Sequence, residues 1–304
     1  EIQLTLTARA GDQVDEIKVD VPVRPWGVQA LASASGSSRN DTTVFVELPA
    51  GRRYEAPEML ITLSPSIQRL VIELALGEQF WLRSGRAEAP ESKRLISRIR
   101  GLVAELVGLQ NDDGGWPWVP ARPETPRASD RLSSAYALWA LSSADAQGLL
   151  SDRSVADRAA SWLEQQFAQL DASDRDTRAA LLHALSTQGR ASFEQANRLN
   201  RDRQDLSNPA LAFLALTFVN LDRQAIASEV LGVLGPRSKT VAPEPGAPLQ
   251  RYWESGGRHP FFQGTTEVTA LAALAYARGR ADASELEQAV AWILAHRVGL
   301  GWSP

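Results

Sequence analysis

The chain predicts a mainly α fold, a series of helical hairpins behind a small antiparallel β segment. Three observations carry this. Apolar residues alternate with period two over residues 1 to about 64, they switch to a helical period after Ser64-Pro65-Ser66, and short breakers divide the rest into helix-length pieces.

In the first part Ile2, Leu4, Leu6 and Ala8 fall on one face of a strand, and Ile17, Val19, Val21 and Val23 repeat the pattern. Val44, Val46 and Leu48, then Ile61 and Leu63, do so again. Gly11-Asp12, Pro25-Trp26-Gly27, the stretch from Ser35 to Asp41 and Pro49-Ala50-Gly51 supply turn residues between the runs. Strands with one buried face are expected here. They are few for an independent sandwich, so a neighbouring segment of a longer protein is expected to complete the sheet.

From residue 65 onward the spacing predicts helices over 66–84, 91–110, 128–145, 153–169, 174–188, 191–202, 208–220, 223–234, 265–278 and 283–297. Pro65 with Ser66 is a start signal, and Gly85, Gly148, Gly189 and Asn208-Pro209 separate successive helices. Short connections force neighbours antiparallel, giving about five hairpins. Small residues are expected on the packed faces, as in Ala210, Ala212 and Ala215, or Ala270, Ala272, Ala273, Ala275 and Ala277. Such helices stack as an open solenoid or close into an alpha/alpha toroid, and the pattern of residues leaves both open. The expected division is therefore a β segment over 1–64 and a helical domain over 65–304.

Two long loops interrupt the rhythm. Residues 111–127 hold Asn111-Asp112-Asp113-Gly114-Gly115-Trp116-Pro117-Trp118, and residues 235–263 hold Trp253, Phe261 and Phe262. Aromatics embedded in long loops make Trp116, Trp118, Trp253, Phe261 and Phe262 the candidates for specific contacts.

Composition narrows the function classes. A formal charge of −4 gives no general electrostatic reason for a nucleic acid partner. No run of about 18 apolar residues is present, so membrane insertion of this segment is not expected. The absence of cysteine excludes disulfides, thiolate metal sites and cysteine nucleophiles. The chain starts at Glu1 within a strand pattern and its only methionine is Met59, which suggests a piece excised from a longer protein.

No catalytic set stands out. Asp112 and Asp113 before two glycines read as turn residues, because a calcium loop needs further oxygen ligands at regular spacing and a distal carboxylate. His183, His259 and His296 are scattered, and His183 sits among alanines and leucines, where a packed histidine is expected. Asp174 and Asp176 open a helix, as the helix dipole favours. No metal, cofactor or phosphate loop is expected.

Several segments, in order, resemble the thioester-containing domain of bacterial alpha-2-macroglobulins. Leu76-Gly77-Glu78-Gln79 is similar to the family's Cys-x-Glu-Gln motif with leucine in place of the cysteine. The stretch from Leu109 to Trp116 resembles the family's helix end and aspartate-glycine-glycine-aromatic loop, and Ser133 to Leu141 the helix after it. Thr265 to Ala270, Ala289 to Ile293 and Gly299 to Ser303 resemble its last helices, and Asp20 to Pro25 a strand of its CUB-like segment.

The resemblance implies an alpha/alpha toroid, complete or short of its last hairpin, behind part of a CUB-like β domain. It implies a non-catalytic fragment of an endopeptidase inhibitor. In thioester-bearing relatives the cysteine sulfur and the glutamine carbonyl form the reactive bond; Leu76 has no nucleophilic atom, so Leu76, Gly77, Glu78 and Gln79 form a degenerate motif without covalent trapping. Some relatives place a histidine before the fifth helix, and the matching stretch from Ala168 to Thr177 has none. The implied partners are the other domains of the parent chain and, through the full-length protein, proteases; the implied location is the periplasm or the cell surface. The competing reading is a toroid enzyme acting on a polysaccharide or isoprenoid, marked by a central cleft lined with carboxylates and aromatics. A third is a protein-interaction module built on the tryptophan loops.

Overall fold

The structure is a computed structural model that describes residues 2–10, 13–21, 43, 51, 90–118, 127–242, 249–255, 264–298 and 301–302. The chain divides into two compact units, one of residues 1–33 and 45–63 and the other of residues 34–44 and 64–304.

In the first unit β1 (Ile2–Ala10) and β2 (Gln13–Val21) form an antiparallel hairpin with Ile2 opposite Val21, Leu6 opposite Ile17 and Ala10 opposite Gln13. This register puts Leu4 and Ile17 on one face and Thr5, Thr7, Glu16 and Lys18 on the other, where Glu16 and Lys18 pair at 3.0 Å. The expected alternation is present, yet its apolar face is open at the positions described, with Leu4 50% and Ile17 59% exposed. Two strands make a single layer, which buries neither face until something packs on it.

The second unit is mainly helical. The helix expected at 66–84 lies outside the described residues, whereas each of the others is present. They are α1 (Pro90–Gly108), α2 (Arg131–Asp145), α3 (Ser154–Gln169), α4 (Arg175–Ser186), α5 (Phe193–Arg201), α6 (Asn208–Asn220), α7 (Gln224–Leu234), α8 (Thr265–Gly279) and α9 (Ser284–Ala295). Among the described residues no helix is long and apolar enough to cross a membrane.

Local chemistry explains the boundaries. The Asp130 carboxylate accepts the Ser133 amide at 2.8 Å to cap α2, and Asp174 accepts the Thr177 amide to cap α4. Ser192 and Gln195 form a reciprocal capping box at α5, and Ser207 caps α6 just ahead of Pro209. At the other end, Gly148 and Gly189 take φ of +69° and +68°. The next amides, of Leu149 and Arg190, reach back to the carbonyls of Ala144 and Leu185, so each glycine closes its helix with a left-handed stop.

Alternate helices share a layer. α2, α4, α6 and α8 pack side by side in that order, while α3, α5, α7 and α9 pack against their flanking members. α6 lies between neighbours on several sides, and every residue from Asn208 to Phe218 is buried, which is why its sequence is apolar all round. Ala210, Ala212, Ala215, Ala272 and Ala275 are at most 1% exposed, letting backbones approach closely. Ala270 and Ala277 depart from the expected packed face: they are exposed.

The described parts of the loop after α7, residues 235–242 and 249–255, are tied to the helices. β3 (Lys239–Val241) pairs with β4 (Gln250–Tyr252), and Tyr252 stacks on Trp292 at 5.2 Å. The Asn208 side chain donates to the Glu254 carbonyl at 2.7 Å. Beyond α9 a short pair, β5 (Arg297–Val298) and β6 (Gly301–Trp302), closes the described chain.

Candidate functional site

Of the residues nominated from sequence, Leu76, Gly77, Glu78, Gln79, Phe261 and Phe262 lie outside the described residues. Trp116, Trp118 and Trp253 are described, and their environments differ sharply.

Trp116 is 3% exposed. Its indole N–H donates to the Leu106 carbonyl in α1 at 2.7 Å, its amide donates to Ser134 Oγ at 2.8 Å, and its carbonyl accepts the Asp130 amide at 2.7 Å. One residue thus joins the end of α1 to the start of α2. The Asp113 carboxylate accepts from the Gly115 amide at 2.9 Å and from Ser129 Oγ at 2.6 Å. Gln110 donates to the carbonyls of Gly114 and Val155, both at 2.9 Å, and accepts from Arg158, tying the loop to α3.

The two glycines are there for space as well as for turning. Gly114 has φ of +95°, and a Cβ on it would sit 2.8 Å from the Arg158 carbonyl oxygen. A Cβ on Gly115 would sit 2.5 Å from Ser129 Cβ. Asp113, Gly114 and Gly115 therefore shape a clamp. Among the described residues no group of three or more His, Asp or Glu side chains is placed to hold a metal ion.

Trp253 is fully buried. Its indole N–H donates to the Leu234 carbonyl at 2.9 Å, its amide donates to Thr269 Oγ1 at 3.1 Å, and its ring lies 5.8 Å from Tyr276. Neither Trp116 nor Trp253 presents its ring to solvent; of the three, only Trp118 does, at 64% exposure. Among the described candidates, the exposed ring is that of Trp118. There a groove of about 410 Å³ runs between the end of α1 and the face of α2, lined by Leu106, Leu109, Pro117, Trp118, Tyr136 and Ala140 among others.

His183 is buried in α4. Trp139 meets it edge-on at 4.7 Å and Phe213 lies at 5.5 Å. Neither ring nitrogen has a hydrogen-bond partner among the described residues. Burial, and then the positive charge of Arg278, push its pKa down to about 3, so it is a neutral packed ring and a poor proton carrier at ordinary pH. Burial, and then the negative charge of Glu267, raise the Tyr136 phenol well above its usual range. The sequence carried no sign of these long-range pairings, nor of Ser129, Ser134 and Arg158 as parts of the clamp.

No family model and no curated protein matches the chain. Solved structures do share its fold. Native alpha-2-macroglobulin from Escherichia coli, spanning domain MG7 to the C-terminus, matches with a TM-score of 0.59 and 15% identity over 99% of this chain and 51% of that one. Salmonella alpha-2-macroglobulin reacted with methylamine matches with a TM-score of 0.55 and 14% identity over 96% of this chain and 20% of that one. The chain thus spans about half the length of the first and a fifth of the second. At such identity the likeness is one of fold.

Proposed function

We propose that this chain is the helical domain, with an adjoining piece of CUB-like β domain, of an alpha-2-macroglobulin-like endopeptidase inhibitor that acts without a covalent thioester. The observation that carries the proposal is the shared fold over nearly the whole chain, joined to a sequence with no cysteine. A thioester needs a thiolate to form, and Leu76 stands where the resemblance puts one.

A closed toroid is part of this reading, and its support is ring packing: Tyr136 and Trp139 on α2 lie 6.4 and 6.1 Å from Phe213 on α6, although α4 stands between in the layer. A flat layer would hold α2 and α6 apart, so these contacts favour one that bends back on itself.

In this role the domain has no chemistry of its own. Its partners are the remaining domains of the parent protein, and proteases are engaged by the whole, in the periplasm or at the cell surface. The alternative is a toroid enzyme, and its mark is a central cleft lined by carboxylates and aromatics.

The test uses the longer parent protein mixed with a protease. Non-covalent trapping predicts that the protease keeps its activity on a small peptide, loses it on a large protein substrate, and is released intact by denaturing detergent. Retained activity on both substrates, or a detergent-resistant adduct, overturns the proposal.

A further inference from the structure

We propose that His183 is an acid-operated latch: its neutral ring joins α2, α4 and α6 in their shared layer, and on taking up a proton it releases them.

Three helices meet at this ring. Trp139 of α2 stands edge-on to it with centroids 4.7 Å apart, and Phe213 of α6 lies 5.5 Å away on a tilted plane. The Phe213 ring is in turn 6.1 Å from Trp139 and 6.4 Å from Tyr136, so the contacts form one cluster. The main chain beside the ring is anchored as well. The His183 carbonyl accepts from Ser186 Oγ at 2.6 Å, and Ser186 Oγ accepts from the Asn220 amide of α6 at 2.9 Å. Leucine or phenylalanine would fill such a place without titrating; histidine makes the contact depend on proton concentration.

Among the described residues no counter-charge is at hand for an imidazolium. α6 has no ionisable side chain. On α2, Arg131 donates to Gln166, Asp145 pairs with Arg153, and the Tyr136 phenol, pushed up by burial, stays neutral. On α3, Arg158 donates to Gln110, Glu164 pairs with Arg190, and Asp157 is exposed. On α5, Glu194 and Arg198 pair with each other and Arg201 is exposed. On α4 itself Arg175 pairs with Asp202, Arg178 donates to the Leu170 carbonyl, and Asp176 accepts from Ser207. Burial holds the pKa of the closed ring at about 3, and the positive charge of Arg278 on α8 pushes the same way. A protonated ring would have neither partner nor water in this place.

The linkage follows. Above pH 6.5 the ring is neutral whether α4 is seated or open, and the closed form is favoured in full. Below it the open form takes up the proton that the closed one refuses, so each pH unit down to about 3 shifts the balance toward opening by about tenfold. The opening starts at α2, α4 and α6 because these are the helices that share the ring.

Hydrogen exchange of the 304-residue chain at pH 7.0 and pH 4.5, corrected for intrinsic rates, reads the latch. Amides of α2, α4 and α6 are expected to lose about tenfold to a hundredfold in protection at the lower pH, while those of α9 and β4, which pack against α8, keep theirs. His183→Phe keeps a ring in the cluster and takes up no proton, so it should abolish the difference. In the unmutated chain labelled at histidine, the NMR signal of the His183 ring should hold its neutral position from pH 7.0 to pH 4.5. Protection that falls equally in every helix, falls as far in His183→Phe, or does not fall at all overturns the proposal. A His183 ring that titrates near the ordinary 6.5 in the folded chain overturns it too.

Discussion

The indole N–H of Trp253 ends on the main-chain carbonyl of Leu234, 2.9 Å away at the last residue of α7. A residue from a loop of irregular sequence thus donates to a carbonyl at a helix terminus. The ring fills the space between α7 and α8, and the backbone of the same residue bonds Thr269. Trp253→Ala should cost about 3 to 5 kcal/mol, and Trp253→Phe, which keeps an aromatic ring but loses the indole hydrogen bond, about 1 to 3 kcal/mol. Urea unfolding of the two variants checks the order; a Trp253→Phe variant as stable as the unmutated chain would show that the hydrogen bond contributes nothing.

His183 makes acid sensitivity predictable. Its folded pKa, about 3, lies below the ordinary 6.5. Above pH 6.5 both states hold the ring neutral and its contribution is fully present. As pH falls the unfolded chain takes up the proton first, so stability is lost through the window from 6.5 down to about 3, at a limiting slope near 1.4 kcal/mol per pH unit. His183→Leu should flatten the fall in urea midpoint between pH 7 and pH 4. Parallel slopes for the two proteins would place the acid-sensitive group elsewhere.

The clamp at Gly114 and Gly115 predicts unequal costs for equal substitutions. Gly148 has φ of +69° with open space around its Cβ position, so Gly148→Ala carries only the backbone penalty, about 1 to 2 kcal/mol. Gly114→Ala adds a clash with the Arg158 carbonyl to a similar φ, and Gly115→Ala drives into Ser129. Gly114→Ala should be the most costly of the three, by about 1 to 3 kcal/mol over Gly148→Ala. Thermal unfolding that ranks Gly148→Ala lowest would contradict the crowding described for the loop.

Methylamine should leave the mass of this chain unchanged, because no thiol is available to activate a glutamine carbonyl. Intact-mass measurement after long incubation is sufficient. A stoichiometric gain would require an activated acyl group that the sequence does not contain.

The sequence by itself determined where the helices run. Asp130, Asp174, Ser192 and Ser207 cap, Gly148 and Gly189 stop, and Pro209 sits in a first turn; each acts through neighbours a few residues away, so each is legible in a string of letters. The all-apolar run of α6 was legible for the same reason, since only a helix covered on every side tolerates it. Tertiary structure alone decided what the side chains meet. Trp116 and Trp118, two residues apart in one loop, end at 3% and 64% exposure because Leu106, Asp130 and Ser134 converge on the first. Ala270 and Ala272, two residues apart on α8, likewise part company, one exposed and the other buried. The pull of Glu267 on Tyr136 and of Arg278 on His183 acts between segments more than ninety residues apart in the chain. Caps and stops depend on backbone geometry within one turn, whereas burial and electrostatic coupling depend on which helices the fold brings side by side.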